Sequence, residues 1–160
     1  EYGELKLNFQ KIDLNEFINN FITSISNLSK KKNIKIEYEP NHEGCVNADP
    51  QAIERIMNNL IDNAIKYSKN GSTINISTLN ETDKYIKVKV EDSGTGISDE
   101  DQDHIFSRFY RTASARASDN QGSGLGLAIV KHLVNSLNGE VGIDSKHKDG
   151  SIFWFSLPKM

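Results

Sequence analysis

Three clusters of residues in this 160-residue chain have types and spacings that could do chemistry. Asn59, Asn63, Lys66 and Tyr67 fall within roughly a 100° arc of a helix, beside an apolar stripe rather than opposite it. Two amides one turn apart at the edge of a core can hold a cation with its waters, or phosphate oxygens through them. Oxygen ligands of that kind suit Mg²⁺, which takes few protein contacts and completes its shell from substrate phosphates. A plain solvated helix face would also carry such a pair. Asp92 has the parity of Ile86, Val88 and Val90, so a strand would direct its carboxylate inward. A buried carboxylate needs donors, and the amino group of a flat heterocycle such as adenine would supply one. Gly94 and Gly96 would let the backbone approach such a ring, although an aspartate capping its own turn has the same sequence. Gly122-Ser123-Gly124-Leu125-Gly126 opens a helix, where N–H groups and the dipole favour an anion; a loop docking closely on its helix is the plainer alternative. Upstream, Arg108 and Arg111 flank Phe109-Tyr110 and could reach phosphates.

The elements that must position these residues follow from periodicity. Leu5–Phe9 alternates like a small strand. Leu14, Phe17, Ile18, Phe21, Ile22, Ile25 and Leu28 lie on one helical face, with Asp13 and Glu16 as a capping box. Lys30-Lys31-Lys32 reads as the solvated end of that helix, suited to its dipole. Ile34–Tyr38 alternates as a strand stopped by Pro40, and Val46–Ala48 is a second short strand. Asp49-Pro50 starts the helix that carries Asn59 and Asn63, with Ile53, Ile56, Met57, Leu60, Ile61 and Ala64 on its buried side, and Asn70-Gly71 ends it. Thr73–Leu79 and Tyr85–Glu91 form a hairpin, and Ser98 caps a short segment leading to Ile105 and Phe106. Residues 112–121 are small and polar, which predicts a mobile loop. A third long helix buries Leu127, Ile129, Val130, Leu133, Val134 and Leu137, and Val141–Ser145 and Ser151–Leu157 close the chain as a hairpin across Asp149-Gly150. The order predicts an α/β two-layer sandwich: a mixed, mostly antiparallel sheet of about five strands, backed by three helices.

Composition removes many alternatives. A single domain suits the length; 36% hydrophobic and 26% charged residues describe a globular chain. A net charge of −3 offers nucleic acid no electrostatic attraction. No run of about 18 apolar residues exists, and Cys45 alone can form neither an internal disulfide nor a multi-cysteine metal site, which fits a reducing cytosol. No glycine precedes a lysine, so the P-loop is absent, and Asp99 stands where a dinucleotide fingerprint needs its third glycine. Zincin, nucleophile-elbow and protein-kinase signatures are missing as well.

In combination and in this order the clusters resemble a known family. Asn59-Leu-Ile-Asp-Asn63-Ala-Ile-Lys66-Tyr67 looks like the asparagine box of sensor histidine kinases, and Asp92-Ser-Gly94-Thr-Gly96-Ile97 like their first glycine box. Ile105-Phe106-Ser-Arg108-Phe109-Tyr110-Arg111 is similar to their phenylalanine box, Gly122–Leu127 to their second glycine box, and Asp149-Gly150-Ser151 to their closing segment. The resemblance covers residues 13–158 and implies the GHKL (Bergerat) ATP-binding fold shared with DNA gyrase and MutL, including a flexible ATP lid before the second glycine box. It implies ATP and Mg²⁺ as cofactors. Asp92 would meet the adenine amino group, Asn63 would coordinate Mg²⁺ and Asn59 would support it. Lys66 and Tyr67 would line the phosphate and ribose side, with Arg111 near the phosphates and Gly122, Ser123, Gly124, Leu125 and Gly126 wrapping them. Asn59, Asn63 and Lys66 would serve catalysis, Gly94, Gly96, Ile97 and Ser151 would complete the nucleotide site, and Phe106 and Phe109 would anchor the lid.

The phosphoacceptor is missing from the chain. His42-Glu43 lacks a proline at the required spacing and is expected in a surface loop; His104, His132 and His147 lack the motif too. The expectation is a catalytic domain at 13–160, with residues 1–12 a stub after absent dimerisation helices. Its partners would be its own dimerisation and phosphoacceptor domain and a cognate response regulator, with no nucleic acid. The isolated domain would be a monomer and cytosolic, and its parent a membrane sensor kinase. A GHKL-type ATPase or a nucleotide-sensing module is the alternative. An ATPase would need a general base on the asparagine helix, and Glu54 lies nearly half a turn from the Asn59/Asn63 face.

Overall fold

The computed structural model describes residues 5–112, 124–145 and 149–160. Its elements are β1 (Gln10–Ile12), α1 (Leu14–Lys30), β2 (Lys35–Asn41), β3 (Val46–Ala48), α2 (Pro50–Tyr67), β4 (Thr73–Asn80), β5 (Tyr85–Asp92), α3 (Asp99–Gln102), α4 (Gly126–Ser136), β6 (Val141–Ser145) and β7 (Ser151–Pro158). Five strands form one sheet in the order β2-β4-β5-β7-β6; β2 and β4 run parallel and every other pair is antiparallel. A small antiparallel pair, β1 with β3, stands beside it. The α/β two-layer expectation holds.

Alternation along the strands decides which face the helices cover. Ile74 and Ile76 of β4, Ile86, Val88 and Val90 of β5, and Phe153, Phe155 and Leu157 of β7 are buried. They share one core with Ile18 and Phe21 of α1, Ile53, Ile56 and Leu60 of α2, and Val130 and Leu133 of α4. The odd-numbered positions of β5 lie on the other face, where the Lys87 ammonium sits 4.0 Å from the Trp154 ring centre. The caps fall where expected. Asp13 accepts from the Glu16 N–H at 3.2 Å, Asp49 from the N–H groups of Gln51 and Ala52, and Ser98 from that of Asp101.

Five local expectations need correction. The first strand is Gln10–Ile12, not Leu5–Phe9. Its partner β3 is short, and beyond it Asp49 takes the Asn8 N–H at 2.8 Å, so the ladder cannot extend back. Pro40 does not stop β2, which runs on to Asn41; this is an edge strand, where a missing N–H is tolerated. At the end of α1 the chain turns back over Ser29, whose carbonyl accepts the Ile34 N–H, so Ser29 is buried and Leu28 exposed. Lys32 is not a solvated helix end: its ammonium donates to the carbonyls of Ile65, Lys66 and Ser68 at the end of α2. His42 lies in the loop after β2 as expected, half-buried there, with Nδ1 hydrogen-bonded to Thr78 Oγ1 at 2.5 Å. In α4, Leu127 and Ile129 are only half-buried. The expected mobile loop lies outside the described residues except for Thr112, and His147 also falls outside them.

Candidate functional site

The C-terminal end of β5, the last turns of α2, the loop after β5 and the start of α4 enclose a cleft of about 340 Å³. Asp92 lies on its floor, 7% exposed. Antiparallel register places Ser151 of β7 directly opposite Asp92, and the Ser151 hydroxyl donates to Oδ2 at 3.2 Å. The Gly94 N–H donates to Oδ1 at 2.9 Å. Burial raises the Asp92 carboxyl above its ordinary pKa, against the opposing pull of the Gly94 and Ser151 hydrogen bonds. The inward carboxylate inferred from strand parity is therefore present and held by donors.

One wall belongs to α2. Asn63, Lys66 and Tyr67 all line the cleft, as their common helical face requires. Partial burial of the Lys66 ammonium, and then the charge of Arg111, lower its pKa below the ordinary lysine value. Two cations thus face one cleft, an arrangement suited to an anion. Asn59 stands outside the lining. Its amide donates to the Arg55 carbonyl at 2.9 Å, and its Oδ1 abuts the start of α4, 3.0 Å from where a Cβ on Gly126 would stand.

The opposite wall is the segment Gly94–Ile97, with Thr95, Gly96 and Ile97 facing the cleft. It is pinned from outside: the Ile97 N–H donates to Ser145 Oγ at 2.8 Å, and the Gln102 amide donates to the Ile97 carbonyl at 2.9 Å. Ile105 and Phe153 form the apolar back, a surface fit for a flat ring. Phe106 packs edge-on against Phe153 at 6.3 Å. Tyr110 lines the cleft, and its hydroxyl donates to Asp101 Oδ1, while Ser98 donates to Oδ2 at 2.9 Å.

At the remaining side, Gly124 and Gly126 reach the cleft at the start of α4. Gly124 has φ +72°, and a Cβ there would come within 2.7 Å of the Phe109 backbone. The Phe109 N–H donates to the Gly124 carbonyl at 3.0 Å, whereas its ring is 70% exposed. The backbone of Phe109, not its ring, makes this attachment. Gly122 and Ser123 lie outside the described residues; Gly94 and Leu125 border the cleft without lining it.

Thr95, Ile105, Tyr110, Thr112, Leu127 and Phe153 line the cleft although sequence reasoning gave them no site role. Phe153 shares the parity of Phe155 and Leu157, which signals burial but not which cavity it borders. Among the described residues, no helix is long and apolar enough to cross a membrane.

This geometry has counterparts among known proteins. Residues 48–160 match the family described as histidine kinase-, DNA gyrase B-, and HSP90-like ATPase. The chain belongs to that family. Its relatives include the sensor protein EvgS of Escherichia coli K12, 30% identical over 99% of this chain and 14% of that protein. The adaptive-response sensory kinase SasA of Gloeothece citriformis is 33% identical over 98% of this chain and 39% of that protein. The domain thus spans 14% and 39% of the length of these two sensor kinases. Among solved structures, the nucleotide-free catalytic domain of histidine kinase ThkA superposes with a TM-score of 0.82 at 28% identity, covering 96% of this chain and 99% of that one. ThkA in complex with the response regulator protein TrrA matches with a TM-score of 0.78 at 27% identity, over 95% of this chain and 42% of that one. The domain is of the histidine kinase catalytic type, an ATP-binding module.

Proposed function

We propose that the cleft binds Mg-ATP and that the domain donates the γ-phosphoryl to a histidine on a separate dimerisation domain, for relay to a response regulator aspartate. The observation that carries this reading is the buried Asp92 carboxylate on the floor of a cleft that Asn63, Lys66 and Arg111 also line. Asp92 accepts the adenine amino hydrogen, and Ile97, Ile105 and Phe153 sandwich the ring. Lys66 and Arg111 meet the phosphates, with Tyr67 on the ribose side and Gly122, Ser123, Gly124, Leu125 and Gly126 around them.

The residues fit a cation held mainly by its substrate. Asn63 offers one amide oxygen, and among the described residues no group of three or more His, Cys, Asp or Glu forms a protein cage for a metal. When bound, Mg²⁺ would neutralise phosphate charge; Asn63 would hold it, and Asn59 would steady the start of α4. The acceptor imidazole displaces the β-phosphate oxygen at the γ-phosphorus, so one P–O bond breaks and one P–N bond forms. Positioning and charge neutralisation are what this domain supplies. The general base belongs to the domain carrying the acceptor histidine. Glu54 and Asp62, the acidic residues of α2, are exposed and do not line the cleft, so α2 offers no base for the water attack a GHKL-type ATPase requires. The domain works in the cytosol beneath a membrane sensor, with its own dimerisation domain and a response regulator as partners.

The test is transfer of label from γ-labelled ATP to a purified dimerisation domain. Acid-labile label on that domain, abolished by Asp92→Asn, supports the reading. Label released only as inorganic phosphate would replace it with the ATPase alternative.

A further inference from the structure

Lys32, in the basic tail after α1, points back across the fold. Its ammonium donates to the carbonyls of Ile65 at 2.8 Å, Lys66 at 2.8 Å and Ser68 at 3.3 Å. An ammonium has three donors, so this contact uses them all. The acceptors lie at the C-terminal end of α2, where carbonyls lack intrahelical partners and the dipole favours a cation. The Lys32 carbonyl also accepts the Gly71 N–H at 3.2 Å, so one residue grips both the helix end and the turn that follows. The turn is also closed locally, by the Ser68 N–H on the Ala64 carbonyl at 3.0 Å and the Ser72 N–H on the Lys69 carbonyl at 3.2 Å, while the Ser68 hydroxyl is buried without a hydrogen-bond partner among the described residues.

The gripped turn is the one that presents Lys66 and Tyr67 to the cleft. Its far side packs tightly as well, since a Cβ on Gly94 would stand 2.7 Å from the Tyr67 carbonyl. The last turn of α2 is therefore held between the loop that forms one cleft wall and a lysine that lies outside the cleft. We propose that Lys32 is a positioning residue for the nucleotide: its ammonium sets the placement of Lys66 and Tyr67, and through them the affinity for Mg-ATP. This rests on the cleft being the nucleotide site. Lys32 touches no substrate and acts only through the helix end.

The experiment compares Lys32→Met with Ile25→Val, a buried core change on α1. Mg-ATP is titrated into each, and amide hydrogen exchange is followed without nucleotide. A variant that stays almost wholly folded loses no affinity through stability alone, so Ile25→Val should bind like wild type. Lys32→Met should bind Mg-ATP about threefold to tenfold more weakly, the effect of releasing a charged hydrogen-bonding group from its acceptors. Exchange should quicken at Lys66, Tyr67 and Ser68 but not at Ile53 near the start of α2. Lys32→Gln, which keeps one donor group, should be intermediate and covers the case in which the methionine variant fails to fold. Unchanged affinity overturns the proposal, and faster exchange without weaker binding reduces Lys32 to a structural role and overturns it too. Failure of the folded wild type to bind Mg-ATP, with the exchange response present, would overturn the nucleotide reading itself and the positioning role with it, while leaving the tether.

Discussion

Replacing Asp92 by asparagine should move affinity and stability in opposite directions. The substitution is isosteric, so packing survives. The Gly94 N–H, 2.9 Å from Oδ1, still requires an acceptor, which pins the amide oxygen at that position. The amide nitrogen then occupies the place of Oδ2, 3.2 Å from Ser151 Oγ. There it can satisfy the serine hydroxyl with one hydrogen, but the other faces the cleft. An adenine amino group arriving at that point meets a donor instead of an acceptor. Loss of a charge-assisted hydrogen bond, with a buried donor left mismatched, costs about 1.5–3 kcal/mol, or roughly tenfold to a hundredfold in affinity. The fold responds the other way. Burial raises the Asp92 pKa despite its hydrogen bonds, so the ionised carboxylate is a net burden on the folded state at neutral pH. A neutral amide removes that burden, and the nucleotide-free variant should melt at a higher temperature than wild type. Calorimetric titration with Mg-ATP and a thermal melt of the same samples measure both effects. Affinity within twofold of wild type would refute the role of Asp92, and a lower melting temperature would refute the account of its burial.

Four further outcomes follow from the same geometry. The raised pKa of Asp92 means that its carboxylate form, which binding requires, is present above that pKa and lost as pH falls through it; the affinity gap between wild type and Asp92→Asn should narrow on acidification from above the ordinary value of 3.8, as titrations across pH would register. Gly124→Ala puts a side chain at φ +72° against the Phe109 backbone; that strain burdens the fold without nucleotide, so the variant should lose about 1–2 kcal/mol of stability, read in urea unfolding. Tyr110→Phe removes the hydroxyl that donates to Asp101 and should lower stability by about 1 kcal/mol in urea unfolding. The isolated domain should sediment as a monomer at micromolar concentration; a stable dimer would contradict the division of labour between this domain and its dimerisation partner.

The chemistry was legible where it is local. Asn63, Lys66 and Tyr67 share a helical face, so spacing alone predicted that they act together, and strand parity was enough to turn Asp92 inward. Other contacts depend on pairings far apart in sequence. Ser151 was expected near the nucleotide only through family resemblance; the reason it belongs there is the β5–β7 register, which sets it opposite Asp92. The link from Ile97 to Ser145 and the reach of Lys32 to α2 leave no trace in periodicity, because each joins separate elements. Leu28 and Ser29 exchanged places for a comparable reason: the turn into β2, not the helical pattern, decides which residue of the last turn is covered. The contact of Phe109 with Gly124 is made by the backbone, which residue type does not reveal.

The central claim is that this cleft is the Mg-ATP site. Titration of Mg-ATP into the isotopically labelled chain, followed by backbone amide spectra, tests it most directly. The account predicts saturable shifts at Asn63–Tyr67, Asp92–Ile97 and Gly124–Leu127, with the amides of the β2 edge unmoved. A well-folded spectrum that does not respond to Mg-ATP, or that responds along β2 instead, would contradict it.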